Sequence, residues 1–244
     1  LRRWFYGLAQ GAINFENDPA RQAIGDAVSA EISAKADAIF ARLESAPDDS
    51  ALSHMLHDGM PAGKTRPREF LLPTVKVTLL GGMQEPGHGA GSVLVGLLTH
   101  PDQMRDLRAD MATLLPQAVD EGLRWVAPIG TQTRQARSAV ELGGTTIPAG
   151  ATVGAFVSSA SRDESRFSDP DAFNIHRREG PHAAFGFGQH FCSGRWFARD
   201  QVITALRVLL EHTKDIALVA TQMPVFRGWE FRAPTSLQVM LQPA

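Results

Sequence analysis

Through the first half of the chain apolar residues recur every three to four positions, the period of an amphipathic helix. Leu1 to Phe15 carries Leu1, Trp4, Phe5 and Leu8 on one side and predicts a first helix, which Asn17-Asp18-Pro19 breaks. Arg21 to Leu43 predicts a second, alanine-rich helix with a stripe of Ile24, Val28, Ile32, Ala36, Ile39 and Phe40. Ser45-Ala46-Pro47-Asp48-Asp49 is a turn with capping residues, Ser50 to His57 a short helix, and Asp58 to Arg66 a polar loop. Pro67 to Thr99 predicts the longest helix, with Gly81-Gly82 and Glu85-Pro86-Gly87 in its middle. A glycine costs a helix about 1 kcal/mol and a proline about 3. A bend or an opened hydrogen bond is expected there, where a ligand could approach. His100-Pro101 ends this stretch, and Gln103 to Leu114 and Leu115 to Trp125 predict two more helices.

The pattern then changes. Thr131 to Gly154 holds short β-like runs, with Gly143-Gly144 as a turn. Ala155 to Ala160 is a small helix or strand end, and Arg162 to His182 is long, charged and irregular. A loop of that length in a compact domain is usually functional or pinned. A helix follows from Ser193 to Glu211, and Ala217 onward reads as β-hairpins around Phe226-Arg227-Gly228-Trp229. The fold class is therefore mainly α with small β-sheets. With no repeat or linker, residues 1–244 read as a single domain.

Net charge of -2, 20% charged and 43% hydrophobic residues describe a globular chain, not a nucleic-acid binder or a disordered tail. No apolar run reaches the roughly 18 residues that a membrane span needs, so no membrane association is expected. One cysteine excludes internal disulfides and suits a cytoplasmic location. The chain starts at Leu1 rather than methionine, which points to a missing N-terminal segment.

That single cysteine sits in Phe185-Gly186-Phe187-Gly188-Gln189-His190-Phe191-Cys192-Ser193-Gly194. A lone cysteine is most often a small buried apolar residue. Here Gly186, Gly188 and Gly194 clear space for a flat group to pass the backbone. A helix beginning near Gly194 turns its N-terminal amides toward the sulfur and favours a thiolate, a good axial ligand for iron. The decapeptide resembles the haem-binding loop of the cytochrome P-450 family, Phe-Gly-x-Gly-x-His-x-Cys-x-Gly, at every fixed position.

The resemblance implies that fold, N-terminally incomplete. Family members are considerably longer, and Leu1 enters at a helix that roofs the pocket. It implies haem b as cofactor with Cys192 as the metal ligand. Phe185, Gly186, Gly188 and Gly194 line the cofactor on the cysteine side, and Gly81 lines it on the other. Arg134 and His190 meet the haem propionates, which as anions in an apolar cavity need charge-assisted hydrogen bonds. Glu121 and Arg124, three apart on one helix, are by spacing alone an ordinary surface ion pair. In the family such a pair is a buried structural clamp tied to a further arginine, for which Arg177 is the candidate.

In the family's oxygen-activation segment an acid and then a threonine deliver protons. This chain has Gln84 and Glu85 there. Glu85 supplies the protonatable group with Gln84 holding it, or Glu85 bonds the backbone that Pro86 leaves exposed. The segment Gly81-Gly82-Met83-Gln84-Glu85-Pro86 resembles the subgroup of bacterial aromatic O-demethylases that act on guaiacol-like methoxyphenols. Val77, Leu80, Gly81, Ile129, Thr133 and Phe231 agree with that subgroup's small aromatic pocket, though each singly reads as core. The implied reaction uses dioxygen, two electrons and two protons to hydroxylate the methoxy carbon. The resulting hemiacetal releases formaldehyde and a phenol. One cysteine cannot hold an iron–sulfur cluster, so electrons come from a separate reductase or ferredoxin. The alternatives are a generic bacterial monooxygenase of another small apolar substrate and a catalytically silent haem-binding module or fragment.

Overall fold

The computed structural model describes all of residues 1–244. The chain is mainly helical with four two-stranded antiparallel sheets, and it divides into two compact units, Leu1–Gln84 and Glu85–Ala244.

The first unit holds α1 (Arg2–Ala12), α2 (Pro19–Ser45), α3 (Ala51–His57) and α4 (Arg68–Gly81). The Asp18 side chain accepts from Ala20 N at 2.8 Å, and Pro19 takes a first-turn position where no amide donor is missed. Glycines let α1 and α2 touch: a Cβ on Gly25 would stand 2.9 Å from Gly11 Cα, and one on Gly7 2.4 Å from Val28 Cγ2. The buried stripe of α2 is Val28, Ile32, Ala36, Phe40 and Leu43. Ile24 and Ile39, expected in that stripe, are exposed. At the N-terminal end it is Gly25 that faces α1, and Ile39 lies off the fourfold spacing. Phe40, Leu43, Leu56 and Leu71 close this unit's core with Ala36.

The expected single helix from Pro67 to Thr99 is two helices, α4 and α5 (Glu85–Thr99). Gly82 ends α4 and accepts no Cβ, since one would meet Thr78 O at 2.7 Å. Pro86 is the second residue of α5, where a proline starts a helix instead of breaking one.

In the second unit α5 is followed by α6 (Pro101–Ala109) and α7 (Met111–Trp125). The break between the last two falls at Asp110, not at Leu114–Leu115, because the Asp110 side chain caps Thr113 N at 3.2 Å. β1 (Gln132–Gln135) pairs with β4 (Thr152–Ala155), and β2 (Val140–Leu142) with β3 (Thr145–Ile147). The short α8 (Val157–Ala160) leads into the long irregular segment. After the cysteine loop come α9 (Arg195–Glu211) and β5 (Thr213–Leu218), which pairs with β8 (Val239–Pro243). β6 (Phe226–Arg227) and β7 (Ala233–Pro234) form the small hairpin between them.

α5, α7 and α9 make the core with Val93, Leu97, Leu115, Val119, Leu123, Val202, Leu206 and Leu210. Their approach is close because glycines face it: a Cβ on Gly122 would lie 2.4 Å from Val93 Cγ2, and one on Gly89 2.9 Å from Leu123 Cδ2. No helix is long and apolar enough to cross a membrane.

Candidate functional site

α7 places Glu121 and Arg124 one turn apart, and both are buried, with 3% and 2% of the side chain exposed. This is not the surface pair that the spacing alone allows. Arg124 donates from Nε to Glu121 Oε2 at 2.7 Å and from Nη2 to Oε1 at 2.8 Å. Its remaining donors reach the carbonyls of Ser161 (2.9 Å), Pro170 (2.7 Å) and Ala172 (2.9 Å). Arg177 Nε approaches the same carboxylate at 3.2 and 3.3 Å, and Asn174 N donates to it at 2.8 Å. The structure thus brings Glu121, Arg124 and Arg177 into one cluster. Burial opposes the Arg177 charge, but Glu179 and Glu121 outweigh it and hold its pKa above the usual arginine value. The cluster pins residues 161–177, the irregular stretch that delivers the chain to the cysteine loop.

In that loop Cys192 N donates to Phe185 O at 3.0 Å, Gly186 N to Ala183 O at 2.8 Å and Phe191 N to Gly188 O at 3.0 Å. Gly186 and Gly188 have φ of +69° and +68°, values that side-chain-bearing residues rarely adopt. Phe185 packs on the core and anchors the loop's start. α9 begins at Arg195 with Gly194 as its cap, directly beyond Cys192. The cysteine is partly buried and in no disulfide. His190 is exposed in a 3₁₀ turn, Gly188–His190.

Arg134 is exposed on β1 and donates to Gln132 Oε1 at 2.8 Å and to Thr133 O at 2.9 Å. Gln132 in turn lies against the loop, 3.2 Å from where a Gly186 Cβ would stand. So Arg134 and the cysteine loop are one side chain apart, joined through a residue the sequence reading passed over. The signal was there: Gln132 is two before Arg134, on the same strand face.

The six expected pocket residues divide between the units. Ile129 and Phe231 are brought together by an isolated antiparallel bridge, while Thr133 is exposed on β1. In the first unit Val77, exposed at 68%, and Leu80 line a cleft with Leu8, Gly11 and Gly25, and Gly81 is exposed at the end of α4. Gln84 closes the first unit and Glu85 opens α5, where a carboxylate favours the positive end of the helix. Three residues on, and missed by the sequence reading, is half-buried His88, whose pKa burial pushes down. Its Glu85-x-x-His88 spacing is the signal that marks both for one helix face.

A family model for cytochrome P450 matches residues 92–216, which include the clamp and the cysteine loop. The chain belongs to the cytochrome P450 family. It is 36% identical over 85% of its length to the cytochrome P450 monooxygenase PikC of Streptomyces venezuelae, and covers 49% of that protein. It is 31% identical along its whole length to a steroid C26-monooxygenase of Mycolicibacterium smegmatis, and covers 60% of it. Ligand-free cytochrome P450 TbtJ1 superposes with a TM-score of 0.87 at 29% identity, over 98% of this chain and 63% of that one. The chain therefore has the cytochrome P450 fold and spans about half to three fifths of the length of these relatives.

P450s bind haem b through a cysteine thiolate. The donor set here agrees: Cys192 is a single thiol in no disulfide. The surroundings agree as well, since a Cβ at Gly188 or at Gly194 would meet nothing within 4 Å. Phe187, Phe191, Trp196 and Phe197, all within five residues of Cys192 in the chain, are each at least 42% exposed, and they offer apolar surface that a macrocycle would cover.

Proposed function

We propose that this chain carries the thiolate-bearing part of a haem-dependent monooxygenase, with Cys192 as the iron ligand. The observation that carries the reading is the Cys192 loop before α9: two left-handed glycines, Gly186 and Gly188, turn the chain, and the Cys192 amide closes it on Phe185 O. Haem, when bound, supplies the oxidising power by which one oxygen of dioxygen enters a C–H bond and the other leaves as water, with two electrons and two protons. Phe185, Gly186, Gly188 and Gly194 form the cradle on the cysteine side, with Gly81 assigned to the other side. Arg134 and His190 are the cations assigned to the propionates. Glu121, Arg124 and Arg177 hold the approach to the loop in shape. Glu85 is the proton-bearing group, its carboxyl passing a proton on by way of water while Gln84 keeps it in place. The electron donor is a separate reductase or ferredoxin. A thiol that must stay reduced suits the cytoplasm, where we place the protein.

We read the substrate as a small methoxyarene undergoing O-demethylation. The support is the Gly81-Gly82-Met83-Gln84-Glu85-Pro86 segment, together with Val77, Leu80, Ile129, Thr133 and Phe231. A polycyclic apolar substrate is the second reading, favoured by the 31% identity to a protein named steroid C26-monooxygenase. Two measurements test the proposal. The reduced chain under carbon monoxide is expected to show the red-shifted Soret band of an intact thiolate, and Cys192→Ser to lose it; the same spectrum in both removes Cys192 as ligand. A guaiacol-type methoxyphenol is expected to shift the iron spin state where a steroid does not. The opposite result transfers the protein to the second reading. Product formed with a reductase separates an enzyme from a silent haem module.

A further inference from the structure

The amide side of Cys192 is held by Phe185 O, and its carbonyl side is held by one residue, Arg195. Arg195 Nη1 donates to Cys192 O at 3.0 Å, and the Arg195 amide lies 3.5 Å from the same oxygen. The guanidinium is fixed in that position by two rings, its Cζ 4.5 Å from the Phe191 centroid and 5.1 Å from that of Trp196. Covalent geometry keeps a cysteine sulfur within about 5 Å of its own carbonyl oxygen, so this cation is at most roughly 8 Å from Sγ. Arginine stays charged at any working pH and holds a planar fork that lysine cannot copy.

We propose that Arg195 is a positioning residue for Cys192, with two separable effects. Its hydrogen bond to the carbonyl fixes the backbone from which the sulfur projects. Its charge draws electron density away from the thiolate and eases reduction of the bound iron. The proposal rests on Cys192 being the haem ligand, and the experiment has one arm that needs haem and one that does not.

Arg195→Ala, Arg195→Gln and Arg195→Lys are compared with the parent chain. With haem, the midpoint potential of Arg195→Ala and Arg195→Gln is expected to fall. A three- to tenfold loss in the one-electron reduction constant is a shift of about 28 to 59 mV. Arg195→Lys, which keeps the charge, is expected to stay near the parent potential. Arg195→Ala, which keeps no side-chain donor for the carbonyl, is expected to lose its red-shifted Soret band on standing, and Arg195→Lys, whose ammonium still donates, to keep it. Arg195→Gln, which retains a donor, is expected to keep that band. Without haem, alkylation of Cys192 by iodoacetamide at fixed neutral pH is expected to slow three- to tenfold in Arg195→Ala and Arg195→Gln and to change little in Arg195→Lys. Equal alkylation rates in all four chains, or equal potentials, overturn the proposal. A parent chain without a thiolate band overturns the haem reading instead, and the alkylation series still decides the role of Arg195. If Arg195→Ala does not fold, the glutamine and lysine variants carry the same comparison.

Discussion

Replacing Glu121 by glutamine keeps the size of the side chain and removes only its charge. The amide nitrogen that replaces one oxygen then faces donors, because the carboxylate accepts from Arg124 twice, from Asn174 N and from Arg177. Arg124, 2% exposed, is left as a buried cation with carbonyls and the Phe167 ring as partners but no counter-charge. Removing one member of a buried pair costs about 3–5 kcal/mol. With a urea slope of about 2 kcal/mol per molar, the unfolding midpoint should fall by about 1.5 to 2.5 M. Arg124→Met should cost more. It strips the guanidinium from the Ser161 and Pro170 carbonyls, while Ala172 O keeps a donor in Arg177 Nη2 at 3.2 Å. At about 1–3 kcal/mol for each buried group left without a partner, those two carbonyls remain costly in the double variant too, although its charges balance. Glu121→Gln/Arg124→Met should therefore stay at least about 2 kcal/mol below the parent. Urea melts followed by circular dichroism and tryptophan fluorescence read all three. A midpoint loss under about 0.5 M for Glu121→Gln, or a double variant as stable as the parent, would refute the reasoning.

Burial lowers the pKa of His182, the nearby charges of Asp120, Arg124, Glu121 and Arg199 acting in both directions, and its Nδ1 accepts from Ala184 N at 3.2 Å. Its contribution is present above the unfolded value of about 6.5 and is lost as pH falls from there through the lowered folded value. Melting temperature should drop more between about pH 7.5 and about pH 5 in the parent than in His182→Phe, and equal slopes would count against it. Gly188→Ala should cost about 1–2 kcal/mol for its left-handed backbone, and Gly186→Ala more, since its methyl also meets Gln132 Nε2 at 3.2 Å. Equal thermal shifts would remove Gln132 as the loop's neighbour. Glu85→Gln should lower the product formed per reducing equivalent several-fold. Unchanged coupling would leave Glu85 as a helix-start residue only.

What the sequence disclosed and what it hid divide along physical lines. The cysteine loop was legible because its chemistry and its backbone demands lie in ten consecutive residues. Glu121 and Arg124 are legible as a pair through their spacing, but their burial follows only from the family resemblance, since it comes from carbonyls 37 to 48 residues further along the chain. The division of Pro67–Thr99 is hidden for a local reason: Pro86 has the pattern of an interior breaker, but in the second position of α5 it has no amide bond to lose. Asp110 was missed as a cap in the same way, its role showing only in the contact with Thr113 N. Arg195 acts on a main-chain carbonyl of the loop and Gln132 fills the space beside Gly186, and such contacts have no periodicity to announce them.

Arg124 reads the loop it organises chiefly by its oxygen atoms, with one side chain, the Phe167 ring, 5.4 Å from the guanidinium. The carbonyls of Pro170 and Ala172 would stand in the same place whatever residues bore them, provided the backbone followed the same path. One buried guanidinium therefore separates the shape of this stretch from its lettering. Residues on its outer surface are free to be rewritten for another partner or another solvent, with the road into the cysteine loop unaltered.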